Sequence, residues 1–145
     1  MRKITLLLLL CTSGLALGDI HTEALCLHTL GEKEIQLEFR TFYEIESRWS
    51  GGYVKYSNSS KPIPIVLKGA EENNSTDNSP TDSTSTWIEI ENGEISGKYE
   101  ISSQGVNVYD LNYTKRKNGK KYYFTLDPNI DFSIESGCHW KNKQQ

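Results

Sequence analysis

The chain has 145 residues, of which 16 are basic and 19 are acidic, so that its formal net charge is −3 at pH 7. This length predicts a single domain of ordinary size. An acidic excess argues against nucleic acid as a partner, because binding to the phosphate backbone needs a basic surface. It is compatible with a cationic partner.

The first residues have the pattern of an export signal. Arg2 and Lys3 precede an apolar run dominated by leucine from Thr5 to Leu10, and Gly18 places a small residue at a cleavage position. The apolar run is too short to cross a bilayer, which takes about 20 residues. We therefore expect residues 1–18 to be a signal peptide, the mature chain to lie in the periplasm or to be secreted, and no segment to span a membrane.

The mature chain, residues 19–145, has 14 basic against 19 acidic residues and a net charge of −5. Cleavage leaves Cys26 and Cys138 as its only cysteines, and an exported pair is expected to form a disulfide. With His28 and His139 the two cysteines would supply the residue types of a zinc site. Oxidation is the default outside the cytoplasm, so we expect one disulfide, no metal and no cofactor.

The first half of the mature chain alternates apolar and polar residues, which predicts strands. A break in this alternation near Thr41 predicts a β-bulge, and Gly51-Gly52 predicts a turn. The strands predicted here are Thr22–Thr29, Glu34–Glu46, Gly52–Tyr56 and Ile63–Lys68.

A polar segment, residues 71–86, separates the two halves. It consists largely of Asn, Ser, Thr and Asp with Pro80, and it contains no large apolar residue. Such a segment buries too little surface to offset its ordering entropy. We predict a mobile loop here.

The second half predicts five strands joined by short turns. Asn92-Gly93 and Asn118-Gly119 are each typical of a type I′ hairpin turn, and the alternation switches near Tyr109. The predicted strands are Trp87–Ile90, Ile95–Ile101, Val106–Thr114, Tyr122–Leu126 and Ile130–Glu135.

Both halves together give an all-β chain, an antiparallel meander of eight or nine strands. Eight strands close a small barrel whose interior is filled by side chains. A β-sandwich is the alternative that the pattern leaves open.

Catalysis has little support in the sequence. No serine lies in a Gly-x-Ser-x-Gly elbow, and the acidic residues mostly alternate with apolar ones, as on solvated strand faces. Five basic residues flank one hairpin turn, at Lys115-Arg116-Lys117 and Lys120-Lys121. They indicate a soluble hairpin tip, or else a docking site for an anionic surface. We expect a non-catalytic binding protein that is a monomer or a small oligomer.

One short motif occurs twice: Ser50-Gly51-Gly52-Tyr53 and Ser96-Gly97-Lys98-Tyr99 both fit Ser-Gly-x-Tyr. The chain resembles the small exported bacterial proteins that inhibit lysozyme in four respects: this motif, its size, its acidic charge and its export signal. The resemblance implies an all-β scaffold and a protein partner, a cationic hydrolase. It also implies partner contacts by Ser50, Gly51, Gly52, Tyr53, Ser96, Lys98 and Tyr99.

The two copies of the motif differ in their predicted setting. Gly51-Gly52 marks a turn, so the copy at Ser50 is the better loop candidate. The copy at Ser96 lies inside a predicted strand, where Gly97 would mark a bulge. Two rival functions remain open: a carrier that holds a small ligand in the mouth of the barrel, and an exported enzyme.

Overall fold

The computed structural model describes residues 18–31, 33–73 and 81–140. Within these ranges the chain forms strands and turns, and no helix there is long and apolar enough to cross a membrane. The predicted signal peptide lies outside the described residues except for Gly18. The strands are β1 (Ile20–Thr29), β2 (Gln36–Glu44), β3 (Trp49–Tyr56), β4 (Ile63–Asn73), β5 (Asp82–Glu91), β6 (Glu94–Gln104), β7 (Asn107–Lys115), β8 (Lys121–Leu126), β9 (Asp131–Ser133) and β10 (Gly137–His139).

Strands β1 to β8 form a closed antiparallel barrel in which each strand pairs with its neighbours in sequence. The barrel closes where β1 pairs with β8 over Leu27–Thr29. This pairing confirms the predicted barrel and excludes the alternative sandwich. Strands β9 and β10 form a separate hairpin against the outside of the barrel wall.

The middle of the barrel is filled by large side chains. Inward residues alternate with outward ones along each strand, so that one face of every strand enters the core. Burying each of these side chains stabilises the fold by about 1.5–3 kcal/mol. The most completely buried are Tyr99, Phe39, Leu27, Leu37, Ile65, Leu111 and Val54.

Three bulges interrupt the ladders. Tyr109 is an extra residue opposite β6, which confirms the predicted switch there. The extra residue opposite β5 is Ser96, one position before the predicted bulge at Gly97. A third, at Lys68, was not predicted. The predicted bulge near Thr41 is wrong: β2 pairs with β1 and with β3 in an unbroken register.

The two Asn-Gly hairpins differ in their turns. At Asn92-Gly93 both residues have positive φ, 53° and 80°, as a type I′ turn requires, and the prediction is confirmed. At the second hairpin only Gly119 has positive φ. There the Lys115 amide donates to the Lys120 carbonyl across a longer turn, so the hairpin is present but the predicted turn type is wrong.

The segment predicted as a mobile loop, residues 71–86, is described at both its ends. These ends are strand: Glu71 pairs with Thr84 and Gly69 with Thr86 as β4 and β5 continue. Hydroxyl pairs help to explain this, since Ser83 and Thr84 side chains contact Ser103 and Ser102 of β6 at 2.9 and 3.0 Å. Polar side chains can therefore line a paired strand without a large apolar face. Residues 74–80 lie outside the described residues.

Gly51-Gly52 does not form the predicted turn. Both glycines lie inside β3, paired with β2 and β4. A Cβ atom added at Gly52 would clash with the backbone carbonyl oxygen of Arg40, and one added at Gly51 would clash with the Trp49 ring. The glycines are there because neighbouring atoms approach the strand closely.

We therefore expect Gly52→Ala to lower the free energy of unfolding by about 2 kcal/mol, because backbone atoms must shift to admit the methyl group. Gly69→Ala is the matched control, since Gly69 lies in β4 with no atom within 4 Å of its would-be Cβ. Its effect should be within about 0.5 kcal/mol. Urea unfolding followed by tryptophan fluorescence measures both, and equal effects would contradict the close approach at Gly52.

The disulfide between Cys26 and Cys138 is confirmed, with Cα atoms 5.8 Å apart. It joins β1 to the C-terminal hairpin and is consistent with an oxidising, exported location. The two histidines beside it contact different residues. His28 lies 3.3 Å from the carboxylate of Asp127, and His139 contacts the Ser136 hydroxyl at 2.6 Å.

Two charged side chains are buried between the barrel wall and the C-terminal hairpin. Glu38 and Arg40 are 4% and 7% exposed, and Arg40 Nε lies 3.0 Å from a Glu38 oxygen. The Cys138 amide donates to Glu38 at 3.0 Å, and Arg40 donates to the Ile134 carbonyl at 2.6 Å. This pair and the disulfide together hold the hairpin against β1 and β2.

Candidate functional site

One end of the barrel opens into a cavity of about 370 Å³, which we call the Glu89 cavity. It is surrounded by the ends of strands that meet at the β1–β2, β3–β4, β5–β6 and β7–β8 turns. Six of its lining residues are aromatic or aliphatic, and five are polar or charged. The lining residues are Ile35, Tyr56, Ser59, Ile63, Glu89, Glu91, Ser96, Tyr113, Lys115, Tyr122 and Phe124.

A carboxyl group lies at the inner wall of this cavity. Glu89 is only 3% exposed, and its side chain enters the barrel rather than solvent. Oε1 accepts hydrogen bonds from the Ser96 and Tyr113 hydroxyls, both at 2.7 Å. Oε2 accepts one from the Tyr99 hydroxyl at 2.8 Å. Three hydroxyl groups thus fix the position of one buried carboxyl.

The backbone of β6 explains how this arrangement fits inside the barrel. Glu89 pairs with Gly97, which has no side chain to occupy the interior. A Cβ at Gly97 would clash with the Tyr113 ring, so the glycine makes room for that tyrosine. The bulge at Ser96 brings its hydroxyl to Glu89 Oε1.

The tyrosines form a connected group around Glu89. The Tyr56 hydroxyl lies 3.4 Å from that of Tyr99, and the rings of Tyr99 and Tyr113 have centroids 4.6 Å apart. Burial raises the pKa of the Tyr99 and Tyr113 hydroxyls, and the hydrogen bonds to Glu89 raise each pKa further. Burial also raises the pKa of Tyr56. All three hydroxyls therefore stay protonated across the physiological range.

The charges that line the cavity are predominantly acidic. Glu89 and Glu91 face one basic residue, the exposed Lys115. In the described ranges the ion pairs are those of His28, Arg40 and Lys98, so no basic side chain of that part of the chain lies within 4.0 Å of Glu89. Among the residues that the structure describes, the side-chain partners of the buried carboxyl are hydroxyl groups.

The two Ser-Gly-x-Tyr motifs occupy different places, and neither is a protruding loop. In the motif of β6, Ser96 and Tyr99 both donate to Glu89, and Tyr99 is fully buried. Its Lys98 faces outward and contacts Glu100 at 2.9 Å. The β6 motif thus helps to build the Glu89 cavity.

The motif of β3 belongs to the outer wall. The Tyr53 hydroxyl donates to Glu38 at 3.2 Å, and the Arg40 guanidinium lies 5.8 Å from the Tyr53 ring centroid. Desolvation, followed by the charge of Glu38, raises the pKa of Tyr53. Ser50, Gly51 and Gly52 are in the strand before it. The structure does not bring the two motifs together, and partner contacts by either of them stay a prediction.

A second cavity, of about 460 Å³, opens at the other end of the barrel. Its wall is largely apolar and includes Phe39, Trp87, Ile101 and Val108, and its one charged lining residue, Glu23, is exposed. The five basic residues of the β7–β8 hairpin are all exposed, as predicted for a solvated tip.

The sequence does not identify Glu89 as a site residue, because its two neighbours in β5 are apolar. Ile88 and Ile90 flank it, so the usual alternation places Glu89 on the solvated face. The structure reverses this: Trp87 and Glu89 are buried together inside the barrel. Trp87 is the signal in the sequence that could have indicated this. It lies two residues before Glu89 and therefore on the same face of β5, and a large aromatic residue favours the buried face.

The comparisons with known proteins add no relative. No family model matches the chain, and neither the curated proteins nor the solved structures searched contain a match. Among residues 18–31, 33–73 and 81–140 there is no group of three or more His, Cys, Asp or Glu residues placed to hold a metal ion.

Proposed function

We propose that this protein is an exported, non-catalytic carrier that binds a small molecule in the Glu89 cavity. The observation that carries the proposal is the cavity itself, which combines an aromatic lining with a buried, fixed carboxyl group. Small-molecule sites are typically mostly apolar concavities with a few placed polar groups that fix the ligand's orientation.

The form of the barrel supports binding at this end. The middle is filled by Tyr99, Phe39 and Leu37, so a ligand enters from an open end and stops at the tyrosine layer. The groups at that layer are already oriented by hydrogen bonds, which reduces the entropy lost on binding. The Ser96, Tyr99 and Tyr113 hydroxyls all donate to Glu89, so the carboxyl is held in one orientation toward a ligand.

The opposite cavity is larger, and the one carboxyl group in its lining, that of Glu23, is exposed. It therefore serves as the internal comparison for the proposal. A bulky residue placed in one cavity at a time shows which of the two binds the ligand. Ile63 lines the Glu89 cavity and Val108 lines the opposite cavity.

We expect the mature protein to bind at least one of three aromatic probes of equal size: phenethylamine, phenethyl alcohol and phenylacetate. Ile63→Trp should weaken that binding about tenfold or more, because the indole occupies ligand space. Val108→Trp should leave it within about twofold. Titration by NMR gives both affinities and the location of the shifted resonances.

Binding of no probe, or binding that Val108→Trp abolishes and Ile63→Trp does not, would overturn the proposal. A lysozyme inhibition assay on the same samples covers the rival hypothesis of a macromolecular partner. Inhibition of lysozyme without binding of any probe would replace the carrier by an inhibitor.

A further inference from the structure

The ligand class can be taken further, on the premise that the Glu89 cavity is the binding site. We infer that the cavity binds a small organic cation, with an ammonium group beside Glu89 and an apolar or aromatic remainder against the tyrosines. Glu89 would be the counter-charge, and the ligand would complete a set of contacts that the chain leaves unfinished.

The first step is the hydrogen-bonding capacity of Glu89. A carboxylate offers about four acceptor positions on its two oxygens. Three are taken, two on Oε1 by Ser96 and Tyr113, and one on Oε2 by Tyr99. One position on Oε2 is left for a donor, and an ammonium group brings three N–H donors to such a site.

The second step is charge. A carboxylate removed from water is strongly unfavourable unless an opposite charge or sufficient hydrogen bonds offset the loss of hydration. Glu89 is 3% exposed and has no basic partner in the described part of the chain. The lining holds two acidic residues, Glu89 and Glu91, and one basic residue, Lys115, and the Lys120 ammonium lies near its Tyr122 ring. Of these charged groups Glu89 is the buried one, so a cation is favoured over an anion at the inner wall.

The third step is the aromatic wall. A cation within about 6 Å of a tyrosine ring centroid is attracted by the negative face of the ring. Tyr56, Tyr113 and Tyr122 line the cavity, and Lys120 Nζ already lies 5.0 Å from the centroid of Tyr122. Because Lys120 already occupies a cation position at Tyr122, the rings expected to contact the ligand's ammonium group are those of Tyr56 and Tyr113.

The fourth step is size. The cavity of about 370 Å³ is near the lower end of the range of roughly 300–1,000 Å³ found for ligand sites. It fits a compact molecule with one ring better than a long chain. A primary amine joined by a short linker to one ring matches the volume, the charge and the aromatic wall together.

The test compares ligand charge at constant size. Wild-type protein is titrated with phenethylamine, phenethyl alcohol and phenylacetate at neutral pH, by calorimetry. We expect phenethylamine to bind about tenfold or more tightly than the alcohol, and phenylacetate to bind weakest. This ranking uses the wild-type protein alone, so it does not depend on the folding of any variant.

Glu89→Gln then identifies the group responsible. It keeps the shape of the side chain and removes the charge, so the preference for phenethylamine over the alcohol should fall to about twofold or less. Glu100→Gln is the matched control, because Glu100 faces outward beside Lys98 on β6. It should leave the preference unchanged.

Two results would overturn the inference while leaving the carrier proposal intact: equal binding of amine and alcohol, or an amine preference that survives in Glu89→Gln. Absence of binding by all three probes would overturn both. The failure of the ligand class is thus distinguishable from the failure of the site.

Discussion

Replacement of Tyr99 by alanine is expected to lower the free energy of unfolding by about 4 kcal/mol, the usual range for deleting a buried aromatic ring. Tyr99 is completely buried, and its ring packs against Phe39 at 5.4 Å and Tyr113 at 4.6 Å between centroids. The substitution also removes the hydrogen bond to Glu89 Oε2, the one hydroxyl bond to that oxygen within the described residues. Urea unfolding monitored by circular dichroism measures the loss.

Tyr109→Ala is the matched control for this prediction. Tyr109 lies on the neighbouring strand at the bulge of β7 but is 62% exposed. Its replacement should change stability by no more than about 0.5 kcal/mol. A loss below about 1 kcal/mol for Tyr99→Ala would show that the barrel interior is not packed around this ring.

Tyr99→Phe distinguishes the contribution of the ring to stability from the contribution of the hydroxyl group. It preserves most of the packing and removes one donor to a buried carboxyl, so a loss of about 1–3 kcal/mol is expected. The difference between the two variants then reports how much of the effect of Tyr99 comes from filling the core.

The second large effect is expected from the disulfide. The double variant Cys26→Ala with Cys138→Ala should lose about 4–5 kcal/mol, because the bridge closes a loop across a sequence separation of 112 residues and so restricts the unfolded chain. The folded chain also loses the covalent attachment of the β9–β10 hairpin. Denaturant unfolding of the oxidised protein and the double variant measures the difference.

Ser136→Ala provides the control for the hairpin, since Ser136 is exposed and its contacts lie within the hairpin itself. Its effect should stay within about 0.5 kcal/mol. If the double variant is as stable as the oxidised protein, the hairpin is held by Glu38 and Arg40 rather than by the bridge.

The β content and its order in the chain were predictable from local patterns. Alternating apolar residues, the Asn92-Gly93 turn and the switch at Tyr109 all depend on neighbours within a few positions, and the structure has each of them where it was expected. The disulfide follows from counting the cysteines that remain if residues 1–18 are an export signal.

The predicted turn at Gly51-Gly52 is wrong because contacts with residues outside this dipeptide, not its own backbone preferences, explain the two glycines. A Gly-Gly pair predicts a turn because glycine tolerates unusual backbone angles. In β3, Gly52 is required because the Arg40 carbonyl oxygen of β2 approaches it, a contact that exists only after β2 and β3 pair. Gly51 is required because the Trp49 ring of the same strand lies against it. Likewise, the described ends of the polar segment 71–86 become strand because hydroxyls on β5 and β6 face one another.

The sequence by itself determined the all-β class, the meander and the pairing of Cys26 with Cys138, because each follows from composition or short-range periodicity. The export signal stays a prediction of the sequence. Only the tertiary structure decided that the sheet closes into a barrel, since closure depends on β1 meeting β8 across the whole chain. It also decided which face of β5 is inside. Barrel closure and the bulge at Ser96 turn Glu89 inward, where hydroxyls from β6 and β7 converge on it, and no pattern within β5 encodes that convergence.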